Sequence, residues 1–141
     1  MYLIFDTETT GLPRNYNAPI TDTSNWPRVV QLAWQLHEAD GTLVEQKDFL
    51  IRPNGFNIPF QSEQIHGIST ELAKLAGEDL GDVLFLFKKA LEKADFVVGH
   101  NVRFDINVMG CEYVRNNEET PLTLPILDTC TERTAEMCQL P

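Results

Sequence analysis

An α/β domain built on a five-stranded sheet of mixed direction is predicted by three observations. An apolar run opens the chain, an Asp-Gly turn signal sits between two strand-like segments, and two long helical periodicities flank a second apolar run. Tyr2 to Phe5 is continuously apolar and reads as a strand buried on both faces, cut off by acids and then by Gly11-Leu12-Pro13. Arg14 to Pro27 carries turn formers and no periodicity, so it is a surface loop in which Tyr16 and Trp26 are candidate anchors. Val29 to Leu36 and Leu43 to Ile51 are strand-like and flank Ala39-Asp40-Gly41-Thr42, whose Asp-Gly pair favours a tight hairpin. The first three strands thus form an antiparallel meander.

Past Pro53-Asn54-Gly55 the period becomes helical. Ser69 is placed to cap a helix with Leu72, Leu75 and Ala76 on one face. A longer helix follows, with Leu80, Val83, Leu84, Phe87, Leu91 and Ala94 recurring at three and four. Glu78, Asp79 and Asp82 lie at its start and Lys88, Lys89 and Lys93 towards its end, which suits the helix dipole. Phe96-Val97-Val98 is a buried strand that stops at Gly99-His100-Asn101. Val102 to Arg115 is a helix with Ile106, Met109 and Tyr113 facing the core. Ile126-Leu127 forms a short fifth strand, and Asp128 or Thr129 caps a last helix running to about Gln139.

Composition narrows the classes. The 141 residues are 43% hydrophobic with 8 Gly and 8 Pro, which excludes collagen-like, disordered and repeat architectures and favours one domain. No stretch reaches the roughly 18 apolar residues of a membrane span and no basic signal start is present, so a cytoplasmic protein without a membrane partner is expected. Cys111, Cys130 and Cys138 have no zinc spacing and read as free thiols. A formal charge of −10 argues against gripping nucleic acid by bulk electrostatics. Carboxylates that hold magnesium or manganese reverse that sign locally, so a nucleic-acid enzyme stays open.

Chemistry concentrates at two places. Asp6 and Glu8 stand two residues apart where the first strand runs out, so both carboxylates point the same way from Cα positions roughly 6 to 7 Å apart. In isolation a D-x-E is a solvated strand end, but carboxyl ends of buried strands are where α/β folds place sites. Asp105 lies one position before Ile106, on the edge of the apolar stripe, where a desolvated carboxylate needs a partner. If the fourth strand lies beside the first, Asp105 joins Asp6 and Glu8 in a three-carboxylate pocket that requires cations.

Phe5-Asp6-Thr7-Glu8-Thr9-Thr10-Gly11-Leu12 and Gly99-His100-Asn101-Val102-Arg103-Phe104-Asp105 resemble the first two motifs of the DnaQ-like, or DEDD, 3′-to-5′ exonucleases. Ile65-His66-Gly67-Ile68 is similar to a segment against the terminal nucleotide in the branch of the proofreading epsilon subunit of bacterial DNA polymerase III. The matches come in family order and cover nearly the whole chain. The resemblance implies a ribonuclease-H-like fold and a two-cation hydrolysis of phosphodiesters that releases nucleoside monophosphates from single-stranded 3′ ends. It implies that Asp6 bridges two Mg2+ or Mn2+ ions, that Glu8 completes the site of the water-activating ion, and that Asp105 holds the other. Backbone around Thr9, Thr10 and Gly11 would meet the 3′ end, Leu12 would wedge beside the last base, and Ile65, His66, Asn101 and Phe104 would line the terminal nucleotide. The plainer roles are core for Ile65 and Phe104, a helix-end donor for His66, an N-cap for Asn101, packing for His100 and a helix cap for Asp128.

The third family motif, a Asp preceded five residues earlier by His or Tyr on a final helix, has no counterpart: the last Asp is Asp128 and the last His is His100. The chain therefore reads as a single exonuclease domain spanning residues 1–141 that lacks its carboxyl-terminal helix, with a degenerate non-catalytic scaffold as the alternative. Weak hydrolysis and one uncovered sheet face, hence dimerisation or reduced stability, are expected. DNA proofreading or repair, in association with a replicative polymerase, leads over RNA trimming by the same chemistry.

Overall fold

The computed structural model describes residues 1–130. Its elements are β1 (Tyr2–Thr9), β2 (Val29–His37), β3 (Leu43–Leu50), α1 (Phe60–His66), α2 (Thr70–Ala76), α3 (Leu80–Lys93), β4 (Phe96–Gly99), α4 (Val102–Arg115) and β5 (Ile126–Asp128). The sheet order is β3-β2-β1-β4-β5, antiparallel between β1, β2 and β3 and parallel from β1 through β4 to β5. The expected mixed sheet is therefore present, with β4 beside β1. The last helix expected from about residue 129 to 139, and Cys138 with it, lie outside the described residues. Cys111 is a buried free thiol and Cys130 an exposed one.

Strand alternation sets which face is packed. Leu3, Phe5 and Thr7 on β1 and Leu32, Trp34 and Leu36 on β2 are buried, and Phe87 from α3 meets Phe5 and Trp34 at ring separations of 5.1 and 5.3 Å. Tilted pairs of this kind add about 0.5–1.5 kcal/mol each beyond the area they bury. Ile4, Phe96 and Leu127 belong to the opposite face and are exposed among the described residues. The first and fourth strands are thus covered on one face by described elements, not on both as an unbroken apolar run suggests. An apolar residue at every position does not reveal which face finds a partner.

The helices differ from expectation in two places. Ser69 caps α2 by accepting from the Leu72 amide at 3.0 Å, yet Leu72, Leu75 and Ala76 are exposed, Leu75 by 88%. A seven-residue helix has room for one contact, and α2 spends it on Ala73 against Val30, Ile58 and Ile68. Helix α1 was not legible in the pattern, because only Ser62 of its seven residues is buried. It ends at Gly67, whose φ of +76° is a left-handed cap conformation that glycine adopts without a side-chain penalty. Helix α3 buries Val83, Leu84, Phe87, Ala90 and Leu91 and is capped by Asp79. Trp26 anchors the long loop, buried with Nε1 donating to the Pro19 carbonyl, whereas Tyr16 is exposed.

Helix α4 positions the chemistry. It is buried around much of its girth, including Asp105 and Glu112, and Tyr113 Oη donates to the Leu84 carbonyl to tie it to α3. Its start is gripped from the sheet: Asp128 at the end of β5 accepts from the Asn101 amide at 2.8 Å and the Val102 amide at 3.2 Å. Asn101 itself adopts φ 53° and makes no side-chain cap. The capping role expected of Asn101 belongs to Asp128, which serves α4 through a connection 26–27 residues long in sequence.

Gly99 sits where β4, β1 and α4 converge, and a Cβ there would lie 2.6 and 2.8 Å from Cγ2 and Cβ of Val102. Val102 is β-branched and fully buried, so it has no alternative rotamer to retreat into. Gly99→Ala is expected to lower unfolding stability by about 1–3 kcal/mol through displacement of the start of α4, as measured by urea denaturation.

Candidate active site

Asp6 and Glu8 are on the face of β1 opposite Phe5 and Thr7, both at least partly exposed at its carboxyl-terminal end. Asp105 reaches the same strand end from the first turn of α4. Its Oδ1 accepts from the Thr7 amide at 3.1 Å and from the Thr7 hydroxyl, so the buried carboxylate is held to the residue between Asp6 and Glu8. Burial raises the Asp105 pKa to about 6; the Thr7 hydroxyl opposes that rise and the nearby Asp6 charge adds to it. None of the three carboxylates has a Lys, Arg or His ion-pair partner among the described residues. Nor do three metal-ligating side chains converge on a single cation-sized point among those residues. The arrangement is therefore three hard-oxygen donors at one strand end, two on one face and the third anchored through Thr7, with their negative charge unpaired by any described Lys, Arg or His. That excess fits a divalent cation in donor chemistry and in charge.

Beside the carboxylates lies a cavity of ≈ 250 Å³ lined by Thr7, Glu8, Thr9, Gly11, Leu12, Ser62, Ile65, His66 and Phe104. Of the residues singled out from the sequence, Thr9, Gly11, Leu12, Ile65, His66 and Phe104 share this space. Thr10 and Asn101 do not. Leu12 and Ile65 are 74% and 85% exposed, so Ile65 is not a core residue and both stand as apolar rims with nothing described packed over them. Phe104 packs partly against the main core and also faces the cavity.

The cavity wall is fixed by backbone bonds. Ile68 donates its amide to His66 Nδ1 at 3.1 Å, which makes the ring the Nε2–H tautomer, and Nε2 faces the Thr9 carbonyl at 3.2 Å. His66 is therefore more than a helix-end donor, since Nε2 ties α1 to the end of β1 at Thr9 while Nδ1 takes the Ile68 amide just past the helix. Ser62 Oγ donates to the Thr10 carbonyl at 2.6 Å. Thr10 turns away towards Arg28, donating its amide to the Arg28 carbonyl and accepting from the Arg28 amide. His100 is exposed, with Nδ1 3.1 Å from Thr129 Oγ1, and does not pack as expected.

Three participants escaped sequence reasoning. Thr7 is visible only as the spacer of D-x-E, and Ser62 lies in a helix without periodicity. Glu112 is fully buried and binds Arg28 Nε at 2.9 Å, Arg115 Nη1 and the Val29 amide. Its signal was faint: it stands two turns after Asp105 and three residues before Arg115 on α4. Arg115 continues outward to the carbonyls of Thr23 and Trp26, both at 2.7 Å. This network holds the start of β2 and, through the Arg28 backbone, Thr10.

Residues 3–133 match the model of the RNase T family, described as Exonuclease. A DNA polymerase III PolC-type of Pediococcus pentosaceus is 32% identical over 130 residues, covering 92% of this chain and 8% of that protein. A counterpart from Lactococcus lactis is 31% identical over 129 residues, covering 91% and 7%. The chain thus spans under a tenth of the length of these relatives. Among solved structures, E. coli exonuclease I in complex with a dT13 oligonucleotide superposes with a TM-score of 0.73 at 22% identity, over 91% of this chain and 27% of that one. Apo exonuclease I gives 0.72 at 21%. The fold is the ribonuclease-H-like mixed sheet of exonuclease I, and with the family match extending over nearly its whole length, the chain belongs to the RNase T exonuclease family of DnaQ-like domains.

Proposed function

We propose that this domain removes nucleoside monophosphates from the 3′ ends of single-stranded DNA, in the 3′-to-5′ direction and dependent on divalent cations, as the proofreading exonuclease of a replicative polymerase in the cytoplasm. One observation carries the reading: a cavity of ≈ 250 Å³ with apolar rims adjoins carboxylates at the end of the central strand that have no ion-pair partner among the described residues. Leu12, Ile65 and Phe104 provide apolar surface for a terminal nucleoside, and the hydroxyls of Thr7, Thr9 and Ser62 and both His66 nitrogens are engaged by protein groups, which suits an enzyme that recognises ends. Asp6, Glu8 and Asp105 would hold Mg2+ or Mn2+, which when bound lowers the pKa of water and stabilises the leaving 3′ oxygen. The DNA polymerase relatives favour DNA over RNA, and the free thiols of Cys111 and Cys130 suit a reducing compartment.

Turnover by these 141 residues is expected to be slow, because the chain has three histidines and none is free beside the carboxylates. His66 has both nitrogens on backbone, His37 stacks on Tyr2 at the far end of β1, and His100 faces Thr129. A missing general base costs about 10²–10⁴ in rate. The test is a 5′-labelled oligonucleotide incubated with excess protein and manganese. A ladder shortening from the 3′ end, faster on single-stranded DNA than on RNA or duplex and abolished by chelator, is expected. Internal cuts, shortening from the 5′ end or indifference to chelator would overturn the reading.

A further inference from the structure

A second and larger cavity, ≈ 480 Å³, is lined in part by Arg28, Arg52, Asn54, Phe56, Glu112 and Arg115. Three of the chain's six arginines meet here in a protein whose net charge is −10. The acids in the lining are Glu112 and Asp79, so the charged side chains of this cavity sum to +1 where the protein as a whole repels anions. Glu112 takes the Nε of Arg28 and one Nη of Arg115, and Asp79 is turned to the Asp82 amide as the cap of α3. What remains for a ligand is definite. The Arg28 Cζ lies 4.5 Å from the centroid of the Phe56 ring, within cation–π range, and its two Nη groups make no hydrogen bond among the described residues. Exposed Arg52 spends one Nη on the Gly77 carbonyl at 3.1 Å and keeps the rest of its fork.

We propose that this cavity binds a backbone phosphate of the substrate strand upstream of the terminal nucleotide, between the Arg28 and Arg52 guanidiniums. The inference rests on the exonuclease reading above. Planar forks with paired free N–H groups match phosphate oxygens, and arginine serves this geometry better than lysine. The location supplies the connection. Thr9 and Gly11 wall the small cavity, and Thr10 between them is bonded to Arg28 in both directions, at 2.9 Å from its amide and 3.0 Å to its hydroxyl. A strand with its 3′ end in the first cavity thus meets the cationic one across a single residue pair. This answers how an acidic domain retains a polyanion. Positive charge is needed only along the path of the strand, and the arginines are grouped beside it.

The test measures affinity of the full 141-residue chain for 5′-labelled oligothymidylates of two and eight nucleotides by fluorescence anisotropy, with calcium as the divalent cation, across a salt series. Arg52→Gln is chosen because Arg52 is exposed and outside the buried ion-pair network, and Ile65→Ala reports on the small cavity. Arg52→Gln is expected to weaken binding of the octamer about three- to tenfold and to lower its salt slope by about 0.7, while leaving the dinucleotide unchanged. Ile65→Ala is expected to weaken both lengths. If Arg52→Gln binds the octamer as the wild type does while Ile65→Ala still loses both, the exonuclease reading stands and the upstream site is refuted. Equal losses for both lengths in Arg52→Gln would also refute it, since the effect would then come from the fold. If the wild type binds neither oligonucleotide yet shows Arg52-dependent broadening of inorganic phosphate in 31P spectra, the cavity is a site for free anions, and both readings fall.

Discussion

Asp105→Asn is expected to stabilise the metal-free protein at pH 8 by about 2 kcal/mol while reducing cation-dependent hydrolysis about a hundredfold or more. The stability gain follows from the sign of the shift. Burial, with Asp6 adding to it, raises the Asp105 pKa from 3.8 to about 6. Between those values the folded chain holds a proton that the unfolded chain has released, so the stability that the neutral acid provides is complete below pH 4 and is lost as pH rises through 6. Asparagine is neutral throughout and keeps an oxygen to accept from the Thr7 amide and hydroxyl. The variant and wild type should therefore unfold alike in urea at pH 4 and diverge at pH 8 in chelator. Manganese should reverse the order at pH 8 by binding only the wild type. Equal stabilities at pH 8 would mean that the Asp105 carboxylate carries no burial penalty. An Asp6→Ala variant that folds and still binds manganese like the wild type would remove the metal site.

Glu112→Ala is expected to cost about 3–5 kcal/mol, the range for removing one partner of a buried ion pair. Glu112 is 0% exposed, and its loss leaves two guanidiniums and the Val29 amide without their shared acceptor. The damage should extend beyond stability, because Arg28 and Arg115 hold residues 23–29 and with them Thr10 at the cavity wall. Equilibrium urea unfolding gives the first effect, and hydrogen exchange at the Thr10 amide gives the second. A loss under 1 kcal/mol with unchanged protection would show that the arginines find other acceptors and that Glu112 is dispensable.

These two residues mark the boundary of what the sequence discloses. Asp105 could be singled out because it borders an apolar stripe and belongs to a spaced motif, both properties of a single segment. Glu112 shares the same helix, but its importance depends on Arg28, 84 residues away in sequence, and an acid three residues from an arginine on a helix is ordinarily a surface pair. The same division holds for Asp128, whose hold on α4 no local pattern shows. A carboxylate ahead of a helical pattern suggests a cap for that pattern, which lies outside the described residues, and only the parallel pairing of β5 with β4 also brings it to the start of α4.

The local pattern by itself determined the strands, their order of appearance, the hairpin at Asp40-Gly41, the long helices and the carboxylates at the end of β1. Each of these follows from backbone preference or from a repeat of two or 3.6 residues, physics confined to neighbours along the chain. Tertiary structure alone decided which face of α2 is buried, that Thr10 faces Arg28 while Thr9 and Gly11 wall the small cavity, and that three arginines surround the larger one. Those outcomes depend on the desolvation and pairing of groups far apart in sequence, for which no periodic signal exists.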